Sequence, residues 1–378
     1  MGFFHHIKNI ISFQQLQDSE REITFYSEGK NYWPYLSRLL NQLLKTTDLK
    51  ICYVTSGKDD PGLKLTHPNL KTFKIDTGFV RNWFFENLKT KILIMTMPDL
   101  EQYQVKRSKF DVHYIYVQHS PVSLHMTYRE GAFDYFDTIF CSGPHHKDEI
   151  RALEKSRNTK EKQLFEHGYE RLDALIEKHN TLQTSTGANT PSTKKTVLLA
   201  PTWGAEMITE SGLAPKIVQA ALDRGHRLIY RPHPETVKHA KNKIDQLVKA
   251  FQNNPDFSYE LNVGTDDSLH AADMMICDWS GAALEFALAL RKPVLYVDTP
   301  RKVNNKNYMD IGIAPIEVSS RDQLGKRIAP EQIDEIGEHI DDLLHNPPKI
   351  ETSNFVYNPG KSEVAGASEV ERIFNTLN

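Results

Sequence analysis

Three cysteines in 378 residues, Cys52, Cys141 and Cys277, are too few and too scattered for a disulfide scaffold, and no spacing between them fits a zinc site. Each lies in or beside a strand-like apolar run, so they read as buried thiols of a reducing compartment. Long apolar runs are also missing. None approaches the roughly 18–20 residues of a membrane span. Charge of either sign is not in excess: 46 Lys and Arg stand against 49 Asp and Glu, a formal net of −3, so no basic field invites nucleic acid. No short-period repeat occurs, which argues against a solenoid. The first eleven residues are interrupted by His5, His6 and Lys8 and do not form a secretory signal. Phe3, Phe4, Ile7, Ile10 and Ile11 share one helical face, which suits docking onto the protein's own body better than a short interfacial membrane helix. Gly2 alone is too weak a marker of myristoylation.

What is present is an ordinary globular composition, 39% hydrophobic and 25% charged, in a chain long enough for two domains. Residues 179–195 are nearly devoid of large apolar side chains and read as a flexible linker. On either side, short apolar runs alternate with amphipathic segments. Strands are expected at Ile23–Tyr26, Ile51–Thr55, Thr72–Ile75, Ile92–Met95, His113–Val117 and Thr138–Cys141, then at Thr196–Ala200, Arg227–Tyr230, Phe257–Glu260, Met274–Cys277 and Val294–Val297. Helices are expected at Tyr32–Lys45, Pro144–Lys155, Ala214–Arg224, Val237–Asn253 and Gly281–Leu290. The alternation predicts an α/β protein of two Rossmann-like domains, 1–178 and 196–354, whose parallel sheets face a cleft. The tail 355–378 carries a further helical pattern that can cross back to the first domain.

In such sheets ligands gather at the carboxyl ends of the strands, and four turns place polar residues there. The most informative is Cys277-Asp278-Trp279-Ser280-Gly281, where a strand feeds a helix through a tight turn. Free N–H groups and the positive end of the helix dipole at Ser280 and Gly281 suit a phosphate; an ordinary cap by Ser280 explains the same residues equally well. Glu285 lies one turn into that helix and can bond ribose hydroxyls or complete the cap. Arg231-Pro232-His233-Pro234 stiffens a strand end and fixes an Arg beside a His, a pair suited to a pyrophosphate. Ala200-Pro201-Thr202-Trp203 offers Thr202 and its amides to a phosphate, with Trp203 packing on a base or closing the core. His119 ends the strand His113–Val117 and can take a proton from a hydroxyl; a lone strand-end His more often bonds its own backbone. The acidic pairs Asp266-Asp267 and Asp341-Asp342 read as solvated caps, not metal ligands.

The order of these motifs resembles the CDP-glycerol glycerophosphotransferases, enzymes that extend teichoic acids and related surface polymers. The likeness is strongest over 196–300, where the Asp-aromatic-Ser turn opens a helix and Lys292-Pro293 precedes the next strand. It implies a GT-B-like fold, a donor held mainly by the second domain and an acceptor approaching from the first. The family's essential pair of histidines maps onto His119 and His233, and its phosphate-binding serine onto Ser280. Two departures stand out. Ser120 replaces the glycine that follows the first histidine, and Gly281 replaces a second serine.

The expected reaction is one displacement on a CDP-alcohol, CDP-glycerol foremost or a similar CDP-alditol, expelling CMP. Its acceptor would be a hydroxyl of a polymer or a lipid-linked glycan. His119 serves as base, and Arg231, His233, Thr202, Asp278, Ser280, Gly281 and Glu285 hold the donor. Neither cofactor nor metal is called for. The setting implied is cytoplasmic, with peripheral contact at the inner membrane surface, where the aromatic stretch Phe79–Phe85 is one candidate. The rival reading is a UDP-sugar-dependent GT-B glycosyltransferase or UDP-GlcNAc 2-epimerase-like enzyme, supported by Glu285. A non-catalytic nucleotide-binding scaffold fits less well, since it needs no candidate base.

Overall fold

The computed structural model describes residues 2–103, 105–185, 194–261 and 265–377, with side chains from residue 8 onward, residue 185 aside. Residues 186–193, the centre of the expected linker, lie outside this range. Residues 179–185 continue the helix Glu170–Ser185.

The chain forms two compact units. The first, residues 1–173 with 304–313 and 353–378, holds seven strands: β1 (Ile23–Ser27), β2 (Ile51–Thr55), β3 (Leu70–Lys74), β4 (Ile92–Met95), β5 (His113–Val117), β6 (Thr138–Cys141) and β7 (Gln163–Glu166). They run parallel in the order β3-β2-β1-β4-β5-β6-β7. The second, residues 174–303 with 314–352, holds β8 (Thr196–Leu199), β9 (Arg227–Tyr230), β10 (Phe257–Tyr259), β11 (Met274–Cys277), β12 (Val294–Val297) and β13 (Gly325–Ile328). These are also parallel, ordered β10-β9-β8-β11-β12-β13. In both units the order reverses about the first strand, which opens a crevice at the strands' carboxyl ends.

Parallel strands covered on both faces are buried throughout and therefore largely apolar. β1, β2, β4, β6, β11 and β12 are accordingly buried at every residue. In the first unit, one face packs Leu93, Met95, Tyr114 and Ile139 against Phe13, Phe84 and Phe85. The opposite face packs Ile23, Phe25, Ile94 and Ile115 against Leu39, Leu40 and Leu43 and against Ala367, Val370, Ile373 and Phe374 of the helix Ser362–Thr376. The carboxylate of Glu170 accepts the N–H groups of Arg38 (3.0 Å) and Leu39 (3.1 Å), which otherwise lack partners in the first turn of the helix Ser37–Thr46. Asp173 fastens the carboxyl-terminal helix by accepting from the amides of Gly360 (2.6 Å) and Ser362 (2.9 Å). The amino-terminal helix Gly2–Gln14 buries Ile10 and Phe13 and leaves Ile11 half exposed.

The differences from expectation are local. Strands β7 and β13 were not anticipated. Both are edge strands with partly exposed residues, Gln163 and Glu166 in one and Lys326 and Arg327 in the other, and such charges mask the apolar pattern. The helix expected over Tyr32–Lys45 is a 3₁₀ turn at Trp33–Tyr35, led by Pro34, followed by Ser37–Thr46. That expected over Val237–Asn253 is two helices, Pro234–His239 and Lys241–Phe251, parted at Ala240, whose backbone leaves the helical region. Asp341 and Asp342 are not caps. They lie within the helix Ile336–His345 and pair with Arg224, His226 and Lys326. The three cysteines are free and buried.

Candidate active site

In the first unit His119 sits just past β5, half-buried among aromatic rings. The rings of Tyr32, Tyr35, Tyr116 and Tyr128 approach its own edge-on, at centroid distances of 5.7, 6.1, 6.4 and 5.7 Å. The Tyr116 hydroxyl meets Nδ1 at 3.1 Å, and the Tyr128 hydroxyl meets Nε2 at 3.3 Å. Burial lowers the imidazole pKa to about 4, against a contact with the Thr96 backbone that pulls it up. The ring is therefore neutral near pH 7, with one nitrogen accepting a hydrogen bond and the other donating. Its position is fixed from below, where Tyr169 donates its hydroxyl to the His119 carbonyl at 3.2 Å.

The loop that follows is pinned by the helix Pro144–Arg157. His145 donates through Nε2 to the Pro121 carbonyl (3.0 Å), and His146 likewise to that of Val122 (2.8 Å). Glu149 accepts the Leu124 N–H at 2.6 Å and pairs with His125 at 3.2 Å. Asn304 and Asn305 add amide bonds to Met126, Thr127 and His125. The segment carrying Tyr128 is thus held at both ends.

In the second unit the candidate residues collect at the carboxyl ends of β9, β8 and β11, three neighbouring strands. Asp278 is buried, and its carboxylate accepts three backbone N–H groups: Thr202 at 2.8 Å and Trp279 at 2.8 Å on Oδ1, Ile208 at 3.0 Å on Oδ2. Burial pushes its carboxyl above the ordinary value while those amides pull it down. Asp278 therefore ties the loop after β8 to the turn after β11. Arg321, also buried, closes the turn from the other side. It donates to the Asp278 carbonyl at 2.8 Å and to the Glu317 carbonyl at 2.7 Å, pairs with Asp298, and stacks its guanidinium 3.7 Å from the Trp279 ring centroid.

Within the turn so held, Gly281 occupies the cap position of the helix Ala282–Leu290 with no side-chain cap. Ser280 is not the cap, and its half-buried hydroxyl makes no hydrogen bond among the described residues. Ala283 and Glu285 donate their amides to Ser280 and Gly281 carbonyls, and the Glu285 side chain is buried.

His233 caps the helix Pro234–His239 by accepting the Glu235 N–H on Nδ1 at 3.1 Å. Burial, then the charge of Lys302, lowers its pKa to about 4. A neutral ring that accepts on Nδ1 carries its proton on Nε2, so this nitrogen is a fixed donor. Trp203 stands 6.3 Å from His233, 38% exposed, with Lys302 4.1 Å over its ring and bonded to its carbonyl at 3.1 Å. Arg231 turns to Ser268, donating to its hydroxyl at 3.0 Å.

Thr202, Asp278, Ser280 and Gly281 are thus brought together, and His233 joins their neighbourhood through Trp203 and Lys302. Glu285 meets that turn through its own amide, bonded to the Gly281 carbonyl, while Arg231, at the same sheet edge, bonds Ser268. His119 belongs to the other unit. Tyr116, Tyr128, Lys302 and Arg321 were not foreseen. Lys302 lies just beyond the end of β12 and could have been found by the strand-end rule. Arg321 makes its contacts from 23 positions beyond Asp298 and leaves no local signal.

Two parallel α/β units, each with its strand order reversing about the first strand and polar groups gathered at that edge, define a GT-B-like transferase architecture. The chain belongs to the CDP-glycerol:poly(glycerophosphate) glycerophosphotransferase family, whose sequence model matches residues 19–308. Its fold is similar to that of the wall teichoic acid polymerase TagF, at 16% identity over 99% of this chain and 98% of that one, with a TM-score of 0.57. It is similar as well to UDP-GlcNAc 2-epimerases from Methanocaldococcus jannaschii (14% identity over 94% and 99% of the two chains, TM-score 0.57) and Neisseria meningitidis (11% over 93% and 99%, TM-score 0.58). At these identities the likeness is one of fold. No curated protein matches the chain.

Proposed function

We propose that this glycerophosphotransferase, which moves glycerol phosphate from CDP-glycerol onto a surface polymer with release of CMP, works by a single displacement at the glycerol-bearing phosphorus. The acceptor oxygen bonds to that phosphorus as the bridging P–O bond to CMP breaks, and His119 takes the acceptor's proton. The observation that carries this role is the placement of the imidazole just past the carboxyl end of β5, oriented by the Tyr116 and Tyr128 hydroxyls at its two nitrogens. Ser280 and the N–H groups of the 280–282 turn bind the pyrophosphate. His233, with its proton fixed on Nε2, donates to an oxygen that gains charge as CMP leaves, and Arg231 and Lys302 add positive charge at the same edge. Asp278 acts through the backbone rather than on the phosphate, because its oxygens already hold three N–H groups. Thr202 positions the donor through its loop, and Glu285 lies beside the ribose.

The test is His119→Ala in a CMP-release assay with donor affinity measured alongside. Turnover falls about 10²–10⁴-fold, the range for a positioned base, while CDP-glycerol still binds. Near-normal turnover refutes the role.

The finer reading places the acceptor on a lipid and the enzyme at the cytoplasmic membrane surface. Among the described residues no helix is long and apolar enough to cross a membrane. On the helix Phe79–Glu86, Phe79 is 82% and Trp83 42% exposed, while Val80, Phe84 and Phe85 are buried. Two outward aromatics one turn apart suit insertion at a headgroup boundary. Phe79→Ser/Trp83→Ser should then lower co-sedimentation with anionic liposomes and leave turnover on a soluble acceptor unchanged. Undiminished binding removes this support.

A further inference from the structure

At the carboxyl edge of the first sheet, the turn after β1 and the turn after β2 enclose an open pocket of about 230 Å³ lined by Glu28, Gly29, Lys30, Tyr32, Lys58 and Asp59 among others. Two glycines create it. A Cβ on Gly57 would lie 2.3 Å from the Gly29 Cα, and Gly29 itself holds φ +144°. The two backbones therefore touch, with no side chain to fill the space beside them. Lys30 and Lys58 are exposed, and neither forms an ion pair or hydrogen bond among the described residues. Glu28 is half-buried, bonded to the Tyr32 hydroxyl, and burial raises its carboxyl above the ordinary value. Tyr32 forms the wall between this pocket and the base, its ring 5.7 Å from that of His119.

None of these groups has a part in the displacement itself. Their mixture is selective. Two carboxylates oppose a purely anionic ligand, and a neutral sugar would leave two ammonium groups unused. A polyol phosphate uses all of them: the lysines on phosphodiester oxygens, the carboxylates and the Asn31 amide on hydroxyl groups. The reach also fits. β1 and β5 have only β4 between them, two ladder spacings or roughly 10 Å.

We infer that this pocket is an acceptor subsite, in which Lys30 and Lys58 hold the phosphodiester of the polyol-phosphate unit behind the reacting hydroxyl. The inference rests on the glycerophosphotransferase reading, with His119 facing the acceptor. It explains how a growing chain would be told from free glycerol. The terminal hydroxyls are alike, and the phosphate behind them is not.

The experiment compares wild type with Lys30→Ala/Lys58→Ala on a synthetic glycerol-phosphate tetramer and on a phosphate-free glyceryl acceptor, following CMP release. For the double variant KM for the tetramer should rise about tenfold or more. KM for CDP-glycerol, kcat, the thermal midpoint and KM for the phosphate-free acceptor should stay unchanged. A tetramer KM that does not move, or one that rises equally for both acceptors, overturns the subsite. Should the wild type release no CMP with either acceptor, the transfer reading itself fails. Calorimetric titration of the tetramer then decides the subsite separately: weaker binding by the double variant supports it, and equal binding overturns it.

Discussion

Asp278→Asn separates a brace from a ligand contact. In the wild type one carboxylate oxygen accepts from Thr202 and Trp279 and the other from Ile208. Asparagine can keep its carbonyl toward the first pair, but its NH₂ then faces the Ile208 N–H, donor against donor. Each retained bond falls from charge-assisted to neutral, a loss of roughly 1 kcal/mol apiece. The buried Ile208 amide left without an acceptor adds about 1–3 kcal/mol. Relief from burying an ionised group returns part of this, so the expected net loss is about 2–4 kcal/mol, a large share of the roughly 5–15 kcal/mol that holds a domain folded. In urea the unfolding midpoint should drop with no change of slope. CDP-glycerol affinity should fall as well, because the loop at Thr202 and the turn at Ser280 lose their shared anchor. Unchanged stability with lost donor affinity would show that Asp278 touches the donor directly. Unchanged stability and affinity together would show that the three hydrogen bonds do no positioning.

Acid should weaken the fold between about pH 6.5 and pH 4. His146 and His167 are buried and their pKa values lowered by burial to about 4 and about 3, and that of His145 is well below its ordinary value for the same reason. The unfolded chain binds protons at these sites first, so stability is present above the ordinary histidine value and is lost as pH falls, by up to roughly 1.4 kcal/mol per pH unit for each histidine. His119, His233 and His270, each lowered by burial to about 4, act in the same direction. Glu170, Asp173 and Asp278, whose carboxyls burial pushes up, act against them, and the histidines outnumber the acids. A thermal midpoint that is flat from pH 7 to pH 5 refutes the balance. Gly366→Ala should also destabilise, because the new Cβ would sit 2.7 Å from the buried His167 imidazole and 3.0 Å from Leu39. The expected cost is about 1–3 kcal/mol, read from the thermal midpoint; an unchanged midpoint would mean that the helix Ser362–Thr376 shifts freely.

Much of the fold was legible because the buried strands leave no choice of residue. Ile92–Met95 or Met274–Cys277 can only be apolar when helices cover both faces, and their bounds follow directly from the sequence. β7 and β13 escaped because an edge strand keeps charged residues on its open side. The turns that matter were visible as polar residues at strand ends, which is how His119, His233 and Ser280 stand out. Their surroundings were not. The tyrosines around His119 come from positions 32, 35, 116 and 128, and only Tyr116 lies on the same strand. Arg321 reaches the Asp278 turn from a helix with no motif of its own. Tertiary convergence of this kind has no period and no spacing to read.

The first unit takes its last helix from the very end of the described chain, and this bears on how the protein is made. On the ribosome, Ile23, Phe25, Ile94 and Ile115 emerge long before Ala367, Val370, Ile373 and Phe374. At about 5–20 residues per second the 180 residues between positions 173 and 353 take roughly 10–40 s to synthesise. For that time one side of a seven-stranded sheet has only part of its cover, from Leu39, Leu40 and Leu43, while the second unit is already being completed. The nascent chain should therefore be a client of chaperones that shield apolar surface. A chain stalled before residue 362 should aggregate even though every strand of both sheets has been translated.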